Sequence, residues 1–225
     1  MFHSKIHSIM YQVTNYNIGN GSRTIVENQI KVSSEPKSYI PQHLSNDELQ
    51  NPLKVFTQFF QAHYSLPMAR MALSDIELKA VHDINGDFWK RKEDSILFIL
   101  QFSRLMEAAY LIRNEAYPAC KVEKLSKENM IPKEILDKGR DLETIVPFLP
   151  HSHDPQDSKD PCLNLQILFY DTSIQELFDS FKTVGDLVSF NHKADMDQRW
   201  KSHLNLQTFV LILEACHLIY VRSQA

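Results

Sequence analysis

From residue 96 to residue 112 the chain is apolar at nearly every position, and no single helical stripe can hold these side chains. Leu97, Phe98, Ile99, Leu100, Phe102, Leu105, Met106, Ala108, Ala109, Tyr110, Leu111 and Ile112 point in all directions around a 3.6-residue period. A soluble helix that is apolar all round is enclosed by other helices. Residues 204–221 form a second such stretch, interrupted by Asn205, Gln207, Glu214 and His217. Those polar positions favour a buried helix over a membrane span. Two enclosed helices predict an all-α helical bundle, with the rest of the chain as its covering.

Shorter amphipathic segments supply that covering. Asn51-Pro52 reads as a cap followed by proline at the first helical position, and Leu53, Phe56, Phe59 and Phe60 then recur at three- and four-residue spacing. Tyr64-Ser65-Leu66-Pro67 ends that helix and opens the next, whose apolar face is Met68, Met71, Ala72, Ile76, Ala80 and Val81 and whose stop is Asn85-Gly86. Asp87 caps the central helix, predicted to reach residue 116, just ahead of Pro118. Residues 120–161 are the least regular, with short helices expected at 132–138 and 142–146 and a polar loop from His151 to Pro161. Ser173-Ile174-Gln175-Glu176 is a capping box that opens a helix with Leu177, Phe178 and Phe181 inward. Thr183 is expected to cap a short successor ending near Asn191, and the last helix to span 196–222.

The first 45 residues are unlike the rest. Two β-prone runs, 9–16 and 24–32, flank Gly19-Asn20-Gly21-Ser22, which signals a hairpin; a disordered arm is the competing reading, and Met10 is an alternative start. An isolated hairpin is marginal in water, so it would lie on the bundle or pair with another chain. The expected organisation is an N-terminal arm, 1–45, and a bundle, 46–225, whose halves 46–118 and 162–225 are joined by an irregular linker. The halves follow from an internal echo. Glu107-Ala108-Ala109-Tyr110-Leu111-Ile112 matches Glu214-Ala215-Cys216-His217-Leu218-Ile219, and each is preceded by a tryptophan (Trp89, Trp200) and by a Phe-containing short helix, 55–60 or 177–181. Two similar helical subunits compete here with the chance likeness of any two buried helices.

The run Phe59-Phe60, Tyr64-Ser65-Leu66, Arg70, Leu73, Trp89, Leu105 and Glu107-Ala108-Ala109-Tyr110 resembles a pattern found in all-helical bacterial proteins with no assigned activity. The resemblance implies a helical fold and carries no site.

Composition narrows the classes. A length of 225 residues suffices for one large core or two small ones, and 43% hydrophobic with 23% charged residues is ordinary for a soluble protein. A net charge of −4 gives no overall pull toward nucleic acid or anionic lipid. Only 5 glycines argue against glycine-rich phosphate loops. Cys120, Cys162 and Cys216 form no C-x-x-C pair, which points to a reduced, cytoplasmic protein, and the N-terminus lacks the apolar run of a secretory signal.

Candidate chemistry is thin. Glu214 and His217 form a Glu-x-x-His, the spacing that puts two ligands on one helix face in carboxylate-bridged di-metal bundles. The matching first-half position has Tyr110 where histidine is required. The alternative is that Glu107 and Glu214 are paired charges, with Arg104, Arg113 or His217 as partners, since an unpaired buried carboxylate is costly. His151, His153, Asp154, Asp157, Asp160 and Cys162 are the densest set of potential ligands, and a His-x-His pair can hold zinc, but the spacing matches no zinc or calcium loop and a solvated linker is the simpler reading. Arg199 and His203 are one residue too close for the pattern of small helical ribonucleases. Trp89 beside Lys90, Arg91 and Lys92 makes a basic, aromatic patch able to touch phosphate, although Glu93 and Asp94 follow it. The sequence therefore favours a non-catalytic cytoplasmic interaction or scaffold protein with no cofactor, partnered by a protein or by a second copy of itself and not by a membrane. A nucleic-acid-associated regulator and a metal-dependent helical-bundle enzyme are the alternatives.

Overall fold

The computed structural model describes residues 39–225, except 83, 85–91, 115–119, 139–140, 191–195 and 225; for 81, 92, 187–190 and 196–204 it describes the backbone alone. Tyr39–Ala225 is one compact unit. The hairpin runs and Met10 lie outside the described residues, as do Asp87 and the Asn85-Gly86 stop.

Among the described residues every regular element is a helix, and the chain is all-α. Helix α1, Asn46–Gln50, starts at a capping box: the Ser45 N–H donates to Glu48 Oε2 at 2.9 Å while the Glu48 N–H donates back to Ser45 Oγ. Helix α2, Leu53–Thr57, widens into a π turn, Gln58–His63, whose Phe59 and Phe60 are buried. Helices α3, Leu66–His82, and α4, Lys92–Ile112, follow. After the short α5, Lys133–Lys138, and α6, Leu142–Ile145, come α7, Pro161–Asp171, α8, Ile174–Phe190, and α9, Met196–Ser223.

Two of these helices were not expected. The α7 helix begins with the Asp160 side chain accepting the Leu163 N–H at 3.1 Å and with proline at its first position, the same signal that Asn51-Pro52 gives for α2. The α1 helix was hidden by its brevity. Thr183, expected to cap a new helix, sits inside a continuous α8 and donates its hydroxyl to the Asp179 carbonyl at 2.8 Å, so the turn is not interrupted.

Helix α9 meets the expectation of enclosure, with every residue from Ile212 to Arg222 buried against α3, α7, α8 and α2. Helix α4 meets it only in part. Phe98, Phe102, Leu105, Met106, Ala108, Ala109 and Ile112 are fully buried, but Ile96, Leu97 and Leu100 are 41%, 45% and 50% exposed. The N-terminal turns of α4 therefore carry a bare apolar side. Both helices are long and apolar enough to cross a membrane by length and composition, while 72% of the most apolar stretch of α9 and 56% of that of α4 is buried inside the protein.

The helix contacts have a pattern of their own. Helix α3 lies on α9 as α8 lies on α4; α2 meets α4 as α7 meets α9; and α2 reaches α9 as α7 reaches α4. The buried positions correspond too. Leu66, Ala69, Leu73 and Ile76 of α3 match Ile174, Leu177, Phe181 and Val184 of α8 in spacing and burial. Phe60 of the π turn after α2 matches Phe169 of α7, which replaces the pairing of 55–60 with 177–181 that the echo suggested.

Candidate functional site

Glu107 sits mid-core on α4, fully enclosed, and could not be ionised there without donors. The segment before α1 supplies them. The Gln42 and His43 N–H groups each donate at 2.7 Å, the Tyr39 hydroxyl at 2.6 Å, and His43 Nδ1 lies at 2.9 Å. Burial pushes the carboxyl up, but these groups together hold it below the ordinary carboxylate range. The same contact, added to burial, pushes the Tyr39 hydroxyl well above its usual value. Phe178 of α8 covers the arrangement, stacking on both Tyr39 and His43.

Glu214 occupies the corresponding position on α9 and is equally enclosed. Its carboxylate accepts the Ser152 N–H at 2.9 Å, the His151 N–H at 3.2 Å and Arg70 Nε at 3.0 Å, with Arg70 Nη2 at 2.5 Å. Arg70 also donates to the Pro147 and Leu149 carbonyls, both at 2.7 Å. One ion pair thus fastens the 147–152 loop to α3 and α9. In each case two consecutive N–H groups just after a proline, Pro41 or Pro150, close on a glutamate of a buried helix.

The residue three positions further along differs between the two helices. Tyr110 on α4 is covered by Arg113, whose guanidinium carbon lies 3.3 Å from the ring centroid, and meets Phe169 edge-on at 5.4 Å. His217 on α9 meets Phe60 edge-on at 5.1 Å, and among the described residues neither ring nitrogen makes a well-formed hydrogen bond, although the Met130 backbone stands close enough to act on the ring. Burial, helped by the nearby Arg70 charge and only partly offset by the Met130 backbone, pushes this imidazole down to about 3. His217 is neutral at any physiological pH. Its ring forms part of the wall of a cavity of about 300 Å³.

No family model, curated protein or solved structure matches the chain.

Of the metal candidates, Glu214 and His151 are brought together, but through the His151 backbone, and both Glu214 oxygens are occupied by donors. His153 is buried, with Nε2 2.8 Å from the Leu211 carbonyl and Nδ1 2.6 Å from Asn164 Nδ2, so both its nitrogens are engaged within the chain. His151 is exposed. Asp154 is consumed in a turn, accepting the Gln156 and Asp157 N–H groups at 2.6 and 2.9 Å. Among the described residues no group of three His, Cys, Asp or Glu is placed to hold a metal ion. Trp89, Lys90 and Arg91 lie outside the described residues, as does the Lys92 side chain.

The expected partners of Glu107 are elsewhere. Arg104 pairs with Glu48 of α1, and Arg113 turns back on Tyr110. The residues that reasoning from sequence missed are Tyr39, His43 and Arg70, because each is remote in the chain from the carboxylate it serves. A further unexpected anchor is Arg222, 5% exposed, which donates to the carbonyls of Cys120, Ser158, Asn129 and Lys159 at 2.5, 2.7, 3.0 and 3.3 Å. All three cysteines are buried and free. The neighbouring Cys162 lowers the Cys120 thiol, Cys120 and burial raise that of Cys162, and burial raises Cys216.

Proposed function

We propose that this protein is a non-catalytic cytoplasmic interaction or scaffold protein, a helical bundle built from two copies of one unit: 39–112 and the equivalent helices α7 to α9 with the loop before them. The observation that carries this reading is the saturation of Glu107 and Glu214. A catalytic acid or base must keep a lone pair or proton facing its substrate, whereas these two carboxylates spend their oxygens on loops of their own chain.

The partner we propose is a second copy. Leu163, Ile167 and Tyr170 stand along one exposed side of α7, with Tyr170 82% exposed. The corresponding positions of α2 are the exposed and polar Lys54, Gln58 and Gln61. An apolar side kept on one copy of a duplicated unit and lost from the other supports a self-complementary contact through α7.

Light scattering of the full chain over a hundred-fold concentration range tests it. A dimer that Ile167→Glu dissociates is the expected result. A monomer at every concentration overturns self-association, and a dimer that survives Ile167→Glu but not removal of residues 1–38 moves the contact to the N-terminal segment.

A further inference from the structure

We propose that the cavity bounded by Phe60, Leu66, Phe148, His217 and Tyr220 is a binding site for a small uncharged aromatic molecule that carries a hydroxyl or ring N–H group and hydrogen-bonds His217. The site is separate from the α7 face and does not depend on the self-association reading.

Three observations converge on it. The first is shape. The cavity holds about 300 Å³, the lower end of the range for small-ligand pockets, and its walls are largely aromatic and aliphatic. Phe60 and Tyr220, stacked at 5.4 Å, line it together with Phe148, whose ring centroid is 6.4 Å from that of His217. By volume the cavity has room for a single aromatic ring, since apolar cavities of about 150 Å³ already admit benzene.

The second is the unpaired imidazole. A buried polar side chain is almost always hydrogen-bonded, and leaving one unmade costs on the order of 1–3 kcal/mol. Neither His217 nitrogen makes a well-formed hydrogen bond, the Met130 backbone offering only a partial contact. Both nitrogens are screened from the cavity, so binding as proposed requires the ring to turn about its Cβ–Cγ bond and present one of them to the ligand. A neutral imidazole offers one donor and one acceptor, so a hydroxyl or N–H suits it in either tautomer.

The third comes from the other half of the chain. Tyr110 stands where His217 stands, and there the space over the ring is filled by Arg113. The residue equivalent to Arg113 is Tyr220, which leans on Phe60 and leaves the His217 ring beside the cavity. The same architectural cell is filled in one copy and open in the other, and the open copy carries the unsatisfied polar group.

Charge selects against ions. Glu134 in the lining repels a carboxylate, and an ion of either sign loses its hydration between largely apolar walls. Gln61 and Ser65 complete the mouth with neutral polar groups.

The probes are phenol, toluene and benzoate, added to the full chain labelled with ¹⁵N at histidine. Phenol is expected to bind at millimolar concentration or below and to shift the His217 Nδ1 and Nε2 resonances, with toluene at least about tenfold weaker, the equivalent of one hydrogen bond of about 1.4 kcal/mol, and benzoate without effect. His217→Phe keeps the aromatic volume and removes both nitrogens; it is expected to erase the preference for phenol over toluene. Phe148→Trp fills the cavity from its wall while sparing His217, and is expected to weaken both ligands. The proposal is overturned if neither phenol nor toluene binds, which would leave a cavity holding water only. It is also overturned if phenol binds without moving the His217 resonances, or if a folded His217→Phe variant retains the preference. Should that variant fail to fold, the wild-type resonances still decide.

Discussion

Glu107 and Glu214, on different helices, are each closed by the same device: the paired N–H groups of Gln42 and His43 on one, of His151 and Ser152 on the other. Both carboxylates act as latches that draw an irregular segment against a buried helix. Removing one leaves donors stranded in the core. Glu107→Ala is expected to destabilise the protein by about 3–5 kcal/mol, the scale for breaking a buried charged network. Glu107→Gln, which keeps the volume and one acceptor oxygen, should cost less. Urea denaturation of both variants checks this, and equal losses would mean that charge has no part in the latch.

His217 makes stability depend on pH in a defined direction. Its folded value, about 3, lies below the ordinary 6.5, so between those limits the unfolded chain binds a proton that the folded chain refuses. Stability therefore falls with acidification, by up to about 1.4 kcal/mol per pH unit below 6.5. The lowered Glu107 carboxyl adds a loss of the same sign only once the pH drops below its unfolded value of about 4.5. Between pH 5 and 6.5 the difference between wild type and His217→Phe isolates the histidine. The wild type should lose stability more steeply, and parallel curves would contradict the burial described here.

Arg222 ties the end of α9 to two stretches of the linker through four carbonyl oxygens. Arg222→Met preserves much of the stem's packing and removes every donor. The expected loss is about 2–4 kcal/mol, with protease cleavage between residues 120 and 160 quickening before the rest of the protein opens. Limited proteolysis followed by mass spectrometry reads the order of cuts.

Gly185 of α8 faces Ile99 of α4, and an added Cβ would lie 3.2 Å from the Ile99 Cδ1. Ile99 is only partly buried and borders a cavity shared with Leu100 and Phe178, so its side chain can yield. Gly185→Ala is therefore expected to fall within about 0.5 kcal/mol of wild type, the helix gain of up to about 1 kcal/mol offsetting the contact. Gly185→Leu should cost about 1–3 kcal/mol by forcing α4 and α8 apart. Thermal melts of the two variants separate these cases.

The all-helical class and the enclosure of α9 were legible because apolar side chains on every face of a long segment have one soluble solution. The Ser173 capping box and the short α5 and α6 could be read locally for similar reasons. What escaped was mostly non-local. Nothing near Glu107 in the chain announces Tyr39 or His43, and nothing near Glu214 announces Arg70; these partners meet only after packing. The missed α7 is different, since Asp160-Pro161 carried the same start signal as Asn51-Pro52, but polar residues around it read as loop. The exposed side of α4 was lost to an averaging effect: continuous hydrophobicity says that a helix is mostly buried and does not say which turns are left bare.

The helix on which most others rest is the last of them to leave the ribosome. Until α9 emerges, α3 and α7 lack their most extensive contact, and Arg70 has no carboxylate. Helices already synthesised must wait with their apolar sides uncovered, and folding of this body is completed only once α9 has been translated.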